Sequence, residues 1–124
     1  EKAFKSIMET DGTVEQVSDS EILDAKAVID SSGIGCEPAS AASVAGTRKL
    51  KDMGVISSDE QVVCILTGNL LKDPETTVKY HLDGVSARYS NEPRLVEADL
   101  DRIEAILSQV IKPAQGQEVK HIGN

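Results

Sequence analysis

The chain has 124 residues and a formal net charge of −8, with Phe4, Tyr80 and Tyr89 as its only aromatic residues. A chain of this length forms at most one domain, since domains commonly run to roughly 100–150 residues. Its acidity argues against binding to nucleic-acid backbones or anionic lipid, because both depend on clustered Lys and Arg. The scarcity of aromatic residues excludes a base-stacking surface for RNA or single-stranded DNA and predicts an aliphatic core.

The cysteines and the lack of long apolar runs indicate the compartment. Cys36 and Cys64 belong to no close pairing motif, which is typical of a reducing compartment. No stretch approaches the roughly 20 apolar residues of a membrane helix, and no cationic-then-apolar leader opens the chain. We expect a cytoplasmic protein, or a mature organellar one. Because the chain opens at Glu1, without an initiator methionine and inside a predicted helix, we also expect a fragment.

Two helices and a strand are predicted at the start of the chain. Apolar residues recur at helical spacing over residues 1–10, and a short strand is predicted at residues 13–17. Ser18 with Glu21 three residues later forms a capping box, which predicts a helix from about Asp19 to Ser31.

A third helix is predicted after a break at Gly33 and Gly35. It begins at Pro38, in the first turn where proline is tolerated, and closes at Gly54. Residues 39–46 are nearly all small. We therefore expect another segment to pack very close to this helix.

The most informative stretch covers residues 61–73, QVVCILTGNLLKD. Four apolar residues surround Cys64 in the pattern of a short buried strand, which stops at Thr67 and Gly68. A hydroxyl residue and a glycine at the end of a buried strand occupy the place where open α/β sheets bind ligands. The alternation of helix and strand favours an α/β architecture with a parallel pair.

The C-terminal part has one clear helix. We expect Pro74 to block a continuation, residues 77–81 to be a short extended segment, 83–84 a turn, and 85–94 a loop or edge strand. An apolar stripe from Leu100 to Ile111 predicts the last helix, which ends at Lys112 and Pro113, and residues 114–124 are expected to be a mobile tail.

Several common kinds of site find no support. The run at residues 33–35 lacks the third glycine of a dinucleotide fingerprint, and Glu37 would repel a pyrophosphate. There is no Gly-x-Ser-x-Gly motif for a nucleophile. No metal site is predicted, because no short-range ligand spacing links the four candidate ligands, Cys36, Cys64, His81 and His121.

Two segments, residues 35–42 (GCEPASAA) and 66–74 (LTGNLLKDP), together resemble threonine synthase, a pyridoxal-phosphate enzyme of the tryptophan-synthase-β fold type, fold type II. The similarity covers about the C-terminal third of that family's chain. It implies an α/β fold with a partial, open, mostly parallel sheet and flanking helices. Residues 1–96 would form the C-terminal part of the large cofactor-binding domain, and residues 97–124 a C-terminal helix and mobile tail.

The resemblance also implies a cofactor-binding set. Thr67 would be the hydrogen-bond partner of the pyridine nitrogen, Glu37 and Ser40 would form the wall beside the ring, and Gly68 would follow Thr67 at the turn. A neutral hydroxyl leaves the ring nitrogen largely unprotonated, which favours β,γ-elimination and replacement. Threonine followed by glycine and Leu-Lys-Asp-Pro favours threonine synthase over dehydratases and cysteine synthases. The alternative is that Thr67 only caps a strand-end turn.

No catalytic residue is expected within this chain. The family attaches its cofactor to a lysine far upstream, in a segment that this chain lacks, and the phosphate-binding loop is likewise absent. Lys72 is interpreted as a surface or loop-anchoring cation. Asn69 departs from the histidine often found there, and its role stays open.

The complete enzyme implied by the resemblance converts O-phosphohomoserine and water to threonine and phosphate. It would be a homodimer in which the missing N-terminal part of the same enzyme completes the site, and the fragment alone would be inactive. Two alternatives remain open: a threonine dehydratase-like lyase of the same chemistry, and a non-catalytic regulatory or interaction module.

Overall fold

A computed structural model describes residues 1–82, 88–91 and 93–111 of the chain. The chain divides into two compact units, Glu1–Pro93 and Arg94–Asn124. In the described residues there are a short 3₁₀ helix, Leu70–Lys72, and five α-helices: α1, Lys2–Glu9; α2, Asp19–Ser31; α3, Pro38–Asp52; α4, Pro74–Leu82; and α5, Leu100–Val110. None of these helices is long and apolar enough to cross a membrane.

Helix α2 begins and ends at the predicted residues, and its capping box is confirmed. The Ser18 side chain accepts a hydrogen bond from the Glu21 backbone N–H, and the Glu21 carboxylate accepts one from the Ser18 backbone N–H at 2.7 Å. These bonds satisfy two of the N–H groups that a helix leaves without intrahelical partners.

Helix α3 also begins as predicted, with Pro38 in its first turn. It ends at Asp52, shortly before Gly54, whose φ of +73° is favoured by glycine alone. Helix α3 packs on α2, and the core between them is small and aliphatic. The buried cluster consists of Ile29, Cys36 and Ala41, with Ile22, Val44 and Leu66 packed against it.

The predicted sheet is not confirmed. In the described part of the chain no residue belongs to a β-strand, and this includes the predicted strands at 13–17 and 61–67. The β-pairing found among the described residues is one isolated antiparallel bridge between Cys36 and Asn69. The prediction that residues 61–67 are buried is wrong, since Val63 is 87 % and Ile65 70 % exposed. A strand needs a neighbouring strand to hydrogen-bond, and this segment lies beside a helix instead.

The segment at residues 64–68 follows the small-residue face of α3. Cys64 Sγ lies 3.2 Å from Thr47 Oγ1, and Ser43 Oγ donates a hydrogen bond to the Ile65 carbonyl at 3.5 Å. One turn further toward the start of α3, Ser40 bonds the backbone of Gly68. The expected close neighbour of residues 39–46 is therefore this segment, and the small side chains of α3 permit its approach.

The expectation that residues 77–81 are extended is wrong, because they belong to α4. Pro74 starts this helix rather than blocking it, since proline fits the first helical turn. Asp73 stands before it and accepts a hydrogen bond from the Thr76 N–H at 3.1 Å, as an N-cap does. The bonds to Thr76 hold the pKa of Asp73 below its usual value.

Helix α4 is joined to α2 through a tyrosine. The Tyr80 hydroxyl donates to Asp24 Oδ1 at 2.6 Å and accepts from the Tyr89 backbone N–H at 3.3 Å. Burial, together with the bond to the Asp24 carboxylate, raises the pKa of Tyr80 to about 12. The phenol therefore stays protonated in the pH range in which proteins work.

In the second unit, Asp99 accepts a hydrogen bond from the Arg102 N–H at 3.1 Å and caps α5. The predictions for residues 83–84, for Lys112 and Pro113 and for the tail lie outside the described residues. Of the predicted loop or edge strand at residues 85–94, the structure describes 88–91 and 93–94, and none of these belongs to a strand.

Candidate cofactor-binding wall

The structure brings Thr67, Gly68 and Ser40 together at the start of α3. Ser40 is 2 % exposed, and its Oγ accepts a hydrogen bond from the Gly68 N–H at 2.8 Å. The same oxygen lies 3.3 Å from Thr67 Oγ1, across 27 residues of sequence. Thr67 as a residue is exposed, and its hydroxyl contacts the buried Ser40.

Glu37 closes the second side of this turn. Its backbone N–H donates to the Gly68 carbonyl at 3.0 Å, and its side chain lies over the Gly68 Cα. A Cβ at position 68 would stand 1.9 Å from Glu37 Oε1 and 2.2 Å from its Cδ. A side chain at position 68 and the Glu37 side chain therefore cannot occupy their present places together.

Lys72 pairs with the Glu37 carboxylate. Its Nζ lies 2.9 Å from Oε1 and 2.8 Å from Oε2, so that both oxygens are bound. The Lys72 side chain is 61 % exposed and that of Glu37 16 %. The pair therefore lies at the edge of the group formed by Thr67, Gly68, Ser40 and Glu37, which we call the wall. The interpretation of Lys72 as a loop-anchoring cation agrees with this contact, although its partner could not be named from the sequence.

A buried network supports the loop that precedes Glu37. Asp30 Oδ1 accepts a hydrogen bond from the Cys36 N–H at 3.2 Å, and its other carboxylate oxygen pairs with Lys26. Lys26 is 2 % exposed and lies in α2. Burial, and next the charge of Asp30, raises the pKa of the Cys36 thiol, which makes it a poor nucleophile.

Asn69 stabilises the turn that follows Thr67 and Gly68. Its side-chain Oδ1 accepts a hydrogen bond from the Leu71 N–H at 2.9 Å and caps the 3₁₀ helix that carries Lys72. In the same stretch Gly35 has a φ of +62°, and a Cβ at this position would stand 3.3 Å from the Leu70 Cβ. Asn69 therefore has a local structural role in setting the direction in which Lys72 leaves the turn.

The four residues predicted for the cofactor site, Thr67, Glu37, Gly68 and Ser40, are thus close neighbours. Sequence reasoning missed Lys72 as the partner of Glu37 and Asp30 as the support of the loop. The pairing of Lys72 with Glu37 has no sequence signal, because 35 residues separate them. The chemistry of this wall is one neutral hydroxyl on an exposed residue, Thr67, backed by the buried Ser40, which is already bonded to Gly68.

Residues 1–68 match the family described as pyridoxal-phosphate dependent enzymes. Because the match covers more than half of the chain, the chain belongs to this family.

Within this family, the chain is similar in sequence to several threonine synthases. The chain is 53 % identical to the threonine synthase of Methanosarcina acetivorans over 110 residues, which cover 87 % of this chain and 25 % of that protein. It is 40 % identical to the threonine synthase of Methanocaldococcus jannaschii over 110 residues, 88 % of this chain and 25 % of the relative. With the Synechocystis threonine synthase the identity is 46 % over 80 residues, 64 % of this chain and 20 % of the relative. The chain thus spans about a quarter of the length of the first two relatives.

The residues present fit one part of a pyridoxal-phosphate site. A hydroxyl can donate one hydrogen and accept two. Since Ser40 Oγ already accepts from Gly68, it can give its own hydrogen to Thr67, which leaves the Thr67 hydrogen free for an outside acceptor. An unprotonated pyridine nitrogen is such an acceptor.

Proposed function

We propose that this chain is the C-terminal portion of a threonine synthase, which as a whole converts O-phosphohomoserine and water to threonine and phosphate. The observation that carries the proposal is the hydroxyl of Thr67, an exposed residue, held 3.3 Å from Oγ of the buried Ser40. Identity of 40–53 % to two threonine synthases over most of this chain supports the choice of reaction within the family.

Thr67 would hold the pyridine nitrogen through a neutral hydrogen bond. Bound pyridoxal phosphate would supply the electron sink for elimination and replacement at the substrate's β and γ carbons. Thr67 donates its hydrogen without offering a carboxylate, so it adds no negative charge that would keep the ring nitrogen protonated. Ser40 orients Thr67 from behind, and Glu37 and Gly68 form the wall beside the ring.

The rest of the enzyme would complete what this chain lacks. The lysine that binds the cofactor covalently and the phosphate-binding loop would come from the N-terminal part. We propose that residues 61–67 become a strand of a mostly parallel sheet whose other strands lie in that part. The exposure of Val63 and Ile65 supports this, because neighbouring apolar side chains left open to water commonly mark a contact surface.

We also propose a cytoplasmic homodimer. Both Cys36 and Cys64 are free thiols, in keeping with a reducing compartment. The dimer rests on the family resemblance. Sedimentation of the complete enzyme tests it, and a monomer at micromolar concentration would contradict it.

The complete enzyme should be assayed with O-phosphohomoserine and with threonine as substrates. We expect phosphate release from O-phosphohomoserine and no 2-oxobutanoate from threonine. The opposite pattern would identify a dehydratase-like lyase. Activity on neither substrate would identify a non-catalytic module. Thr67→Val should weaken pyridoxal-phosphate binding by about 10-fold or more, the factor that corresponds to roughly 1.4 kcal/mol. Thr67→Ser, the matched control, should retain binding. If Thr67→Val binds the cofactor normally, Thr67 only caps the turn.

A further inference from the structure

We infer that Lys72 is a positioning residue of the cofactor site, which acts by keeping the Glu37 carboxylate away from the Thr67 hydroxyl. This inference rests on the proposed function. Its physical basis is the ion pair in which Lys72 Nζ contacts both carboxylate oxygens of Glu37, at 2.9 and 2.8 Å.

The need for such a residue follows from where Glu37 lies. Its side chain covers Gly68, the residue next to Thr67, and its terminal atoms occupy the space of the missing Gly68 Cβ. A carboxylate is a stronger acceptor than a pyridine nitrogen bonded to a neutral donor, since hydrogen bonds with an ionised partner are about twice as strong. A free Glu37 carboxylate would therefore compete for the hydrogen of Thr67.

Lys72 removes this competition in two ways. Its ammonium group offsets the negative charge of the Glu37 carboxylate and contacts both of its oxygens, and the 3₁₀ helix capped by Asn69 fixes where that ammonium group lies. The carboxylate also lies at the N-terminal end of α3, where the helix dipole favours an anion even without Lys72. Loss of Lys72 would thus leave Glu37 charged and close to Thr67, rather than expel it.

The test measures pyridoxal-phosphate affinity of the complete enzyme by titrating the cofactor-free protein and following the absorbance of the bound cofactor. Lys72→Met should weaken binding by about 10-fold, as for loss of a hydrogen bond worth roughly 1.4 kcal/mol. Lys72→Arg should restore most of the affinity. Lys79→Met is the matched control, because Lys79 lies on the neighbouring α4 and forms no ion pair with any residue that the structure describes.

The decisive variant combines Lys72→Met with Glu37→Gln. If Lys72 acts by restraining the carboxylate, removing that charge should recover the affinity lost in Lys72→Met. If Lys72 only tethers the loop, the double variant should bind no better than Lys72→Met, and this result would overturn the inference. A second result would also overturn the inference. In it, Lys72→Met binds pyridoxal phosphate as tightly as Lys79→Met does, while Thr67→Val binds it weakly. Normal binding by Thr67→Val would instead refute the proposed contact of Thr67 with the cofactor, on which this inference rests.

Discussion

Gly68→Ala tests the geometry of the wall through a single methyl group. The new Cβ would stand 1.9, 2.2 and 2.8 Å from Oε1, Cδ and Cγ of Glu37, so the two side chains cannot coexist as they are. All three atoms belong to one flexible side chain, and no backbone atom is as close. We therefore expect Glu37 to rotate away while the backbone stays in place.

The cost should then be the loss of the Glu37 ion pair with Lys72. Because the Lys72 side chain is 61 % exposed, the pair is closer to a surface salt bridge than to a buried one, and its loss should cost about 0.5–1 kcal/mol. A forced shift of the backbone would cost more, about 1–3 kcal/mol. The magnitude in urea unfolding, followed by far-ultraviolet circular dichroism, separates these cases.

The background Glu37→Ala makes the test sharper, since it removes the atoms that clash. Gly68 has no positive φ, so alanine fits its backbone, and Gly68→Ala in this background should be neutral or stabilising by up to about 0.5 kcal/mol. Gly35→Ala is the control: at a φ of +62° it should destabilise in both backgrounds. An equal cost of Gly68→Ala with and without Glu37 would refute the reasoning.

Three further variants probe the hydrogen bond of Ser40 to Gly68, the contact between α4 and α2, and the N-cap of α2. Ser40→Ala should cost about 1–2 kcal/mol in urea unfolding, because the Gly68 N–H loses its acceptor. The raised pKa of Tyr80 means that the protonated phenol stabilises the fold, so the protein should lose stability as the phenol ionises between pH 10 and about 12. Tyr80→Phe should abolish this loss in melting experiments at different pH. Ser18→Ala should cost about 1 kcal/mol. It should also weaken the acid dependence from Glu21, whose pKa is lowered by bonds to Ser18 and whose contribution is lost as the pH falls below about 4.5.

Local signals were sufficient for the main helices. The capping box at Ser18 and the proline at Pro38 fix where α2 and α3 begin, because each acts within one helical turn. The same rule should have identified α4, since Asp73 and Pro74 are an N-cap and first-turn proline. Proline was interpreted there as a stop, although in a first turn it favours the helix.

Long-range contacts could not be predicted in this way. The period and composition of residues 61–67 are those of a buried strand, but burial and pairing depend on neighbours that the segment does not itself supply. The proximity of Thr67 to Glu37 was expected only from the family resemblance. The ion pair of Glu37 with Lys72 was not expected at all, because two charged residues 35 positions apart leave no periodic trace.

The wall is held in place by the chain's own core. Lys26 is buried at 2 % exposure, and removal of a partner from such a pair typically costs about 3–5 kcal/mol, so the bond to Asp30 is strongly maintained. Asp30 in turn fixes the Cys36 N–H, and Cys36 precedes Glu37. Since these contacts need no ligand, Thr67 and its neighbours are arranged before a cofactor arrives. A group that binds there gains the hydrogen bond without the entropy cost of ordering the loop.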